Sequence, residues 1–209
     1  NKMIPRSLEK KERAVGVTLF LKGERCNSPK CAMVRRPYRP GMHGKRRRGA
    51  ASEYAQQLLE KQKLKITYGL KEAQLYKLFK ELTTKSGSLG EAVIGVLERR
   101  IDNTIFRLGF APSRTSARQY VSHGHFLING RKITIPSCLV KINDIISIRP
   151  SSKERLIFKD LSDTISKRDL PEWLAIDKDK LEGRVKSFPK DKETEASFDI
   201  NLVVDYYSR

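Results

Sequence analysis

Residues 113–135 read Ser113-Arg114-Thr115-Ser116-Ala117-Arg118-Gln119-Tyr120-Val121-Ser122-His123-Gly124-His125-Phe126-Leu127-Ile128-Asn129-Gly130-Arg131-Lys132-Ile133-Thr134-Ile135. Ser113, just after Pro112, can cap a helix, and Gly124 stands where that helix must end. Ala117 and Val121 are four apart and form an inward stripe, while Arg114 and Arg118, also four apart, share the opposite, exposed face. Asn129-Gly130 then separates two strand-like runs, 125–128 and 132–135. That dipeptide is a strong hairpin signal, because both turn residues must take positive φ. Helix followed by hairpin is the seed of a small α+β module.

Working downstream, residues 140–142, an Asn143-Asp144 turn and residues 145–148 predict two more short strands. Leu156, Leu161 and Ile165 suit a helix over 151–166, Pro171-Glu172-Trp173-Leu174 docks the single Trp, and 190–195 is expected to be an exposed loop. The apolar stretch 198–207 should return to pack on a domain. Upstream, Ser52 caps a helix whose apolar face is Tyr54, Leu58, Leu59 and Ile66. A second helix over 71–85 uses Leu75, Leu78, Phe79 and Leu82. A third runs from Leu89 through Val93, Ile94 and Leu97, and the chain continues through Ile101, Ile105 and Leu108 to Gly109. No internal repeat is present.

The 209 residues carry 43 Lys+Arg against 24 Asp+Glu, a net charge of +19 and a pI near 10.0. Residues 1–50 hold 15 basic and 3 acidic side chains and 99–150 hold 9 and 2, whereas the other two segments are close to neutral. Two concentrated cationic regions imply two surfaces that meet phosphate. The first fifty residues show many Gly and Pro and little periodicity, so they are expected to lack regular structure until a partner orders them. Within them, Arg35, Arg36, Arg39, His43, Lys45, Arg46, Arg47 and Arg48 surround Tyr38, a mixture suited to irregular RNA. Apolar runs are far too short for a membrane span, and no secretory h-region is evident, so an intracellular, cytoplasmic protein is expected. Three cysteines there do not predict a disulfide framework.

Several motifs occur in one order along nearly the whole chain: Leu19-Phe20-Leu21-Lys22-Gly23-Glu24-Arg25-Cys26, Pro40-Gly41-Met42-His43-Gly44, Glu98-Arg99-Arg100-Ile101-Asp102-Asn103, Leu108-Gly109-Phe110, Val121-Ser122-His123-Gly124-His125 and Tyr207-Ser208-Arg209. Together they resemble the bacterial small-subunit ribosomal protein four family. The resemblance implies a primary binder of small-subunit rRNA at a helix junction of its 5′ domain. It further implies nucleation of subunit-body assembly, a contribution to translational accuracy, contact with small-subunit ribosomal protein five and other small-subunit proteins, and proximity to messenger RNA at the entry tunnel.

On this basis the fold class is α+β. A mostly helical N-terminal domain with a basic extended arm carries an inserted RNA-binding module of two helices on a short, mostly antiparallel sheet. The divisions are 1–50 for the arm, 51–97 for the helical domain completed by the tail 196–209, and 98–195 for the module with its extension. Carried over as RNA-binding positions are Arg114, Arg118, Gln119, Ser122, His123, Gly124, His125, Asn129 and Lys132. Arg99, Arg100 and Arg131 complete the candidate set. Some family members bear four cysteines near the N-terminus; here Glu9 and Glu12 fall where the first pair would be, leaving Cys26 and Cys31. Carboxylates replace soft zinc ligands poorly, so neither zinc nor any other cofactor is expected.

No catalytic residue is assigned. Glu98 and Asp102 have Arg neighbours and read as members of a salt-bridged helix, and His123 and His125 lack partners for metal or general-base chemistry. The rival classes are an RNA-modifying enzyme and a free stress-type RNA-binding protein carrying the same module. The first needs a catalytic domain for which no residues are evident, and the second needs neither the long arm nor the extra helices.

Overall fold

A computed structural model describes residues 8–46, 49–84, 87–158, 161, 165, 170–177, 180–189 and 198–208. The described elements are α1 (Leu8–Val15), a 3-10 turn (Gly23–Asn27), α2 (Ala32–Arg35), α3 (Glu53–Thr67), α4 (Glu72–Thr83), α5 (Leu89–Glu98), α6 (Ile101–Arg107), α7 (Arg114–Ser122), β1 (Phe126–Ile128), β2 (Arg131–Ile133), β3 (Ile145–Ile148), α8 (Pro150–Lys153), a 3-10 turn (Leu156–Phe158), β4 (Leu174–Asp177), β5 (Glu182–Val185) and α9 (Ile200–Ser208). They fall into two compact units, Asn1–Val93 with Glu195–Arg209, and Ile94–Thr194. None of the described helices is long and apolar enough to cross a membrane.

In the first unit α3 begins as expected, the Ser52 hydroxyl accepting the N–H of Ala55 at 3.3 Å. Its buried residues, however, are Gln57, Lys61, Leu64 and Thr67, while Tyr54 stays half exposed. The reason is that two neighbours cover it: α9 packs along it, and Leu59 and Ile66 join a cluster of Leu8, Val15, Leu19 and Leu21. The terminal stretch therefore does return. Tyr207 stacks on Phe79 with ring centroids 4.4 Å apart, and its hydroxyl donates to Glu72 Oε1 at 3.0 Å. Lys61 donates to the same carboxylate at 2.9 Å and lies over the Tyr206 ring at 4.1 Å.

The irregular structure expected for the first fifty residues does not hold for 8–35. A periodicity count misses the driving force, which is four leucine and valine side chains closing around one carboxylate. Glu12 is 1% exposed, and its Oε1 accepts the N–H groups of Leu19 and Leu21, each at 3.1 Å. The chain reverses between them through Phe20, at φ 51°, so that both donors reach one oxygen. Burial pushes the Glu12 pKa up, and those two donors oppose that rise only in part. Glu9 closes the same loop from outside, pairing with Lys22 at 3.2 Å and Arg25 at 3.1 Å.

In the second unit α6 and α7 cover an antiparallel sheet of order β2-β1-β3-β5-β4. Register places Phe126 opposite Ile133 and Ile148, and Ile128 opposite Ile146, so alternate residues enter the core with Ile101, Ile105, Phe110, Ala117 and Val121. The strand expected at 140–142 is absent: Val140 donates its N–H to Arg99 O at 2.9 Å, and Leu139 bridges Arg100, so this backbone pairs with the break between α5 and α6. The helix expected over 151–166 is interrupted at 154–155, between α8 and the second 3-10 turn. Strands β4 and β5 were not anticipated. Gly183 is required in β5, since a Cβ there would stand 2.4 Å from the Leu108 side chain. The expected loop 190–195 lies outside the described residues.

Two outcomes follow from the hydrogen-bonded carboxylates Glu72 and Glu12. Burial raises the Glu72 pKa, but hydrogen bonds from Lys65, Lys61 and Tyr207 outweigh it and hold the group at about 2. A folded pKa below the ordinary 4.5 contributes stability above that value, which is lost as pH falls toward 2. Near-UV circular dichroism of the tyrosines at the docked tail should therefore weaken across that window, and Glu72→Gln should reduce the dependence. Glu12→Ala leaves two buried N–H groups without an acceptor, a loss of roughly 1–3 kcal/mol for each. Amide exchange at Leu19 and Leu21 should quicken accordingly, Glu12→Gln should retain most of the protection, and EDTA should leave the wild type unchanged.

Candidate nucleic-acid interface

The module's cations are arranged by carboxylates placed inside it. Asp102, 3% exposed at the start of α6, receives Arg100 Nε on Oδ1 at 3.1 Å and Arg100 Nη2 on Oδ2 at 2.9 Å. The same Oδ2 accepts Arg118 Nε at 2.9 Å and Nη2 at 2.6 Å, so one carboxylate joins two guanidinium groups and leaves a net positive site. Asn103 repeats the device. Its amide donates to Glu98 Oε2 at 2.9 Å and its oxygen accepts Arg114 Nε at 2.7 Å, while Glu98 also holds Arg107 at 3.0 Å. The Arg114 guanidinium lies 4.6 Å from the centre of the Phe106 ring. The expectation that Arg114 and Arg118 stand on a free face of α7 is corrected: both turn toward α6 and are half-buried. Glu98 and Asp102 are salt-bridged as expected, but not on one helix: Glu98 ends α5 and Asp102 lies in the first turn of α6.

Around the hairpin the candidates divide. Asn129 and Gly130 take φ 50° and 78°, as the turn requires, and Arg131 and Lys132 are exposed beside them. Lys132 lies against Gly124, where φ is 71° and an added Cβ would come within 2.3 Å of the lysine Cε. Gln119, Ser122 and His123 are exposed on the same helix end. His125 is not. Its ring sits beside Tyr120 and Phe158 with Nδ1 3.0 Å from the Ser152 hydroxyl, and burial first, then Arg155, His123 and Arg149, lowers its pKa. Asn129 is exposed, but its side chain is engaged by its own fold, donating to Asp144 at 2.8 Å and accepting from Ile145 N–H at 2.9 Å. Arg99 likewise donates to Val140 O at 3.1 Å and covers Phe188. An exposed hairpin asparagine or a basic pair gives no linear sign of such internal partners.

In the first unit Arg35, Arg36, His43, Lys45 and Arg46 are exposed and Arg39 is half-buried; Arg47 and Arg48 lie outside the described residues. Arg13, not singled out by the sequence because it lies on α1 far from the basic run, organises them. Its Nε donates to the carbonyls of Arg36 at 3.0 Å and Tyr38 at 2.9 Å.

Zinc does not fit the loop that holds Cys26 and Cys31. Glu12 is occupied by two N–H donors and Glu9 by two cations, both the reverse of what a metal ion would accept. The three cysteines are free, with Cys31 buried and Cys138 packed against the module's core. No group of three or more His, Cys, Asp or Glu among the described residues could hold a metal.

A chain with these two cationic surfaces has relatives. Residues 6–98 match the ribosomal protein S4/S9 N-terminal domain, and residues 99–146 match the S4 domain. Over 197 residues, 94% of each chain, the sequence is 46% identical to the small ribosomal subunit protein uS4 of Syntrophomonas wolfei. Over the same span it is 44% identical to that of Heliobacterium modesticaldum and 45% identical to that of Magnetococcus marinus. Identity of this extent, across both domains, establishes that the chain belongs to the small ribosomal subunit protein uS4 family.

Proposed function

We propose that this chain, an RNA-binding structural constituent of the small ribosomal subunit and not an enzyme, is a primary rRNA binder. It grips a helix junction in the 5′ domain of small-subunit RNA, nucleates assembly of the subunit body and contributes to translational accuracy. It acts in the cytoplasmic ribosome, beside small-subunit ribosomal protein five and the incoming messenger RNA. The observation that carries the RNA-contact part of this reading is the shared Asp102 carboxylate, which holds Arg100 and Arg118 in a fixed pose without neutralising them. Preset guanidinium forks match phosphate geometry and lose little side-chain freedom on contact. Assembly, accuracy and the neighbouring partners rest on membership of the family.

The proposed contact residues are Arg100, Arg114, Arg118, Gln119, Ser122, His123, Arg131 and Lys132 in the module, and Arg35, Arg36, Arg39, His43, Lys45, Arg46, Arg47 and Arg48 in the arm. Gly124 acts by taking the positive φ that ends α7 beside Lys132. Arg99 and His125 shape the surface from within, and Asn129 fixes the hairpin turn at its edge. Sedimentation with assembled subunits in high salt tests the structural role, since an integral component stays bound while a free factor is washed off.

Binding to the junction should weaken as salt rises, because each phosphate contact releases condensed counterions. Arg131→Ala with Lys132→Ala, both exposed, should lower the slope of log K against log salt by about two contacts while leaving the fold intact. Arg100→Ala with Arg118→Ala should also destabilise the module, by about 3–5 kcal/mol, since Asp102 is then a buried carboxylate that keeps the Asn103 N–H but has lost both guanidinium partners. Trp173 fluorescence in a urea titration reports that loss, and an unchanged midpoint would contradict the buried-carboxylate account.

A further inference from the structure

The first unit holds a cavity of about 750 Å³ between α1 and the loop 37–46. Arg13, Arg39, His43, Lys45 and Arg46 line it, and no carboxylate among the described residues does. Met33, Pro37 and Pro40 supply an apolar part of the wall, beside the Tyr38 ring. Loops that merely neutralise phosphate need no such concavity. Here the wall is built: besides the two carbonyls already described, Arg13 Nη2 donates to Arg39 O at 3.4 Å, and its guanidinium lies 5.0 Å from the centre of the Tyr38 ring. The Lys45 ammonium lies 5.2 Å from the same ring. Gly44 brings the two limbs together, since a Cβ at that position would meet Arg39 O at 1.8 Å.

We propose that this cup seats one unstacked nucleotide of an RNA strand, a reading that rests on the RNA-binding role above and sharpens it. The volume lies in the range of small-molecule sites, roughly 300–1,000 Å³, and is far more than a lone phosphate fills. Arg39, Lys45 and Arg46 receive the phosphate, and Met33, Pro37 and Pro40 take the base, whose faces are apolar and whose removal from a helix is easiest at a junction or bulge. Arg13 and Tyr38 are positioning residues that keep the cup open.

The test titrates the full chain with adenosine and uridine 5′-monophosphates and, separately, inorganic phosphate, followed by NMR. In parallel, complexes with small-subunit rRNA are ultraviolet cross-linked and mapped by mass spectrometry. The nucleotides should shift resonances of residues 38–46 and bind about tenfold more tightly than phosphate, the difference one packed base supplies, and a nucleotide should cross-link within 33–46. Met33→Trp, which fills the base half and keeps every charge, should remove that preference. Arg39→Ala with Lys45→Ala should weaken both probes. Equal binding of phosphate and nucleotide, or retained rRNA binding with neither shifts nor cross-links in this segment, overturns the cup. Nucleotide-dependent shifts in a chain that ignores rRNA would support the cup and overturn the ribosomal reading instead.

Discussion

Forty-three cations share one chain with 24 carboxylates, and the structure depends on where a few of those carboxylates are buried. Asp102 holds Arg100 and Arg118, Glu98 holds Arg107 and fixes the Asn103 that orients Arg114, and Glu12 gathers two backbone donors beneath the arm. Each does what an apolar residue cannot, setting the pose of a charged or polar group while the surface stays cationic. A buried ion pair is a weak source of stability, because desolvation offsets the attraction. Its use here is orientation.

That placement connects folding with binding. A polycation compacted to the native state repels itself, and the same repulsion draws it toward a polyanion. Guanidinium groups left free would lose rotamer freedom on meeting phosphate, whereas Arg118, already forked on Asp102, has lost much of it during folding. The arm uses a different device for the same end. Arg13 reaches across to carbonyls of the 36–39 segment, so a stretch rich in Gly and Pro presents Arg39 and Lys45 from a defined loop.

Much of the fold could be read from local signals. The Ser52 and Ser113 caps, the Asn129-Gly130 hairpin and the returning tail are each set by chemistry within a few residues or by plain apolarity. What escaped was decided at long range. Strands β4 and β5 hide in alternating charge; the Asp177 side chain accepting Lys180 N–H at 3.2 Å, and Gly183 beneath Leu108, were the available hints. The expected strand at 140–142 failed because its backbone found Arg99 and Arg100 instead. Among site residues, charge alone marked the surface but could not separate exposed Lys132 from inward-turned Arg99, nor exposed His123 from His125 two positions on. Arg13 escaped because its partners are more than twenty residues away.

The most direct measurement is chemical footprinting of naked small-subunit rRNA, with and without the purified chain, in near-physiological potassium. The account predicts protections confined to a single multi-helix junction of the 5′ domain, with the RNA otherwise unmodified. Protection spread evenly along the molecule, or none, would contradict it.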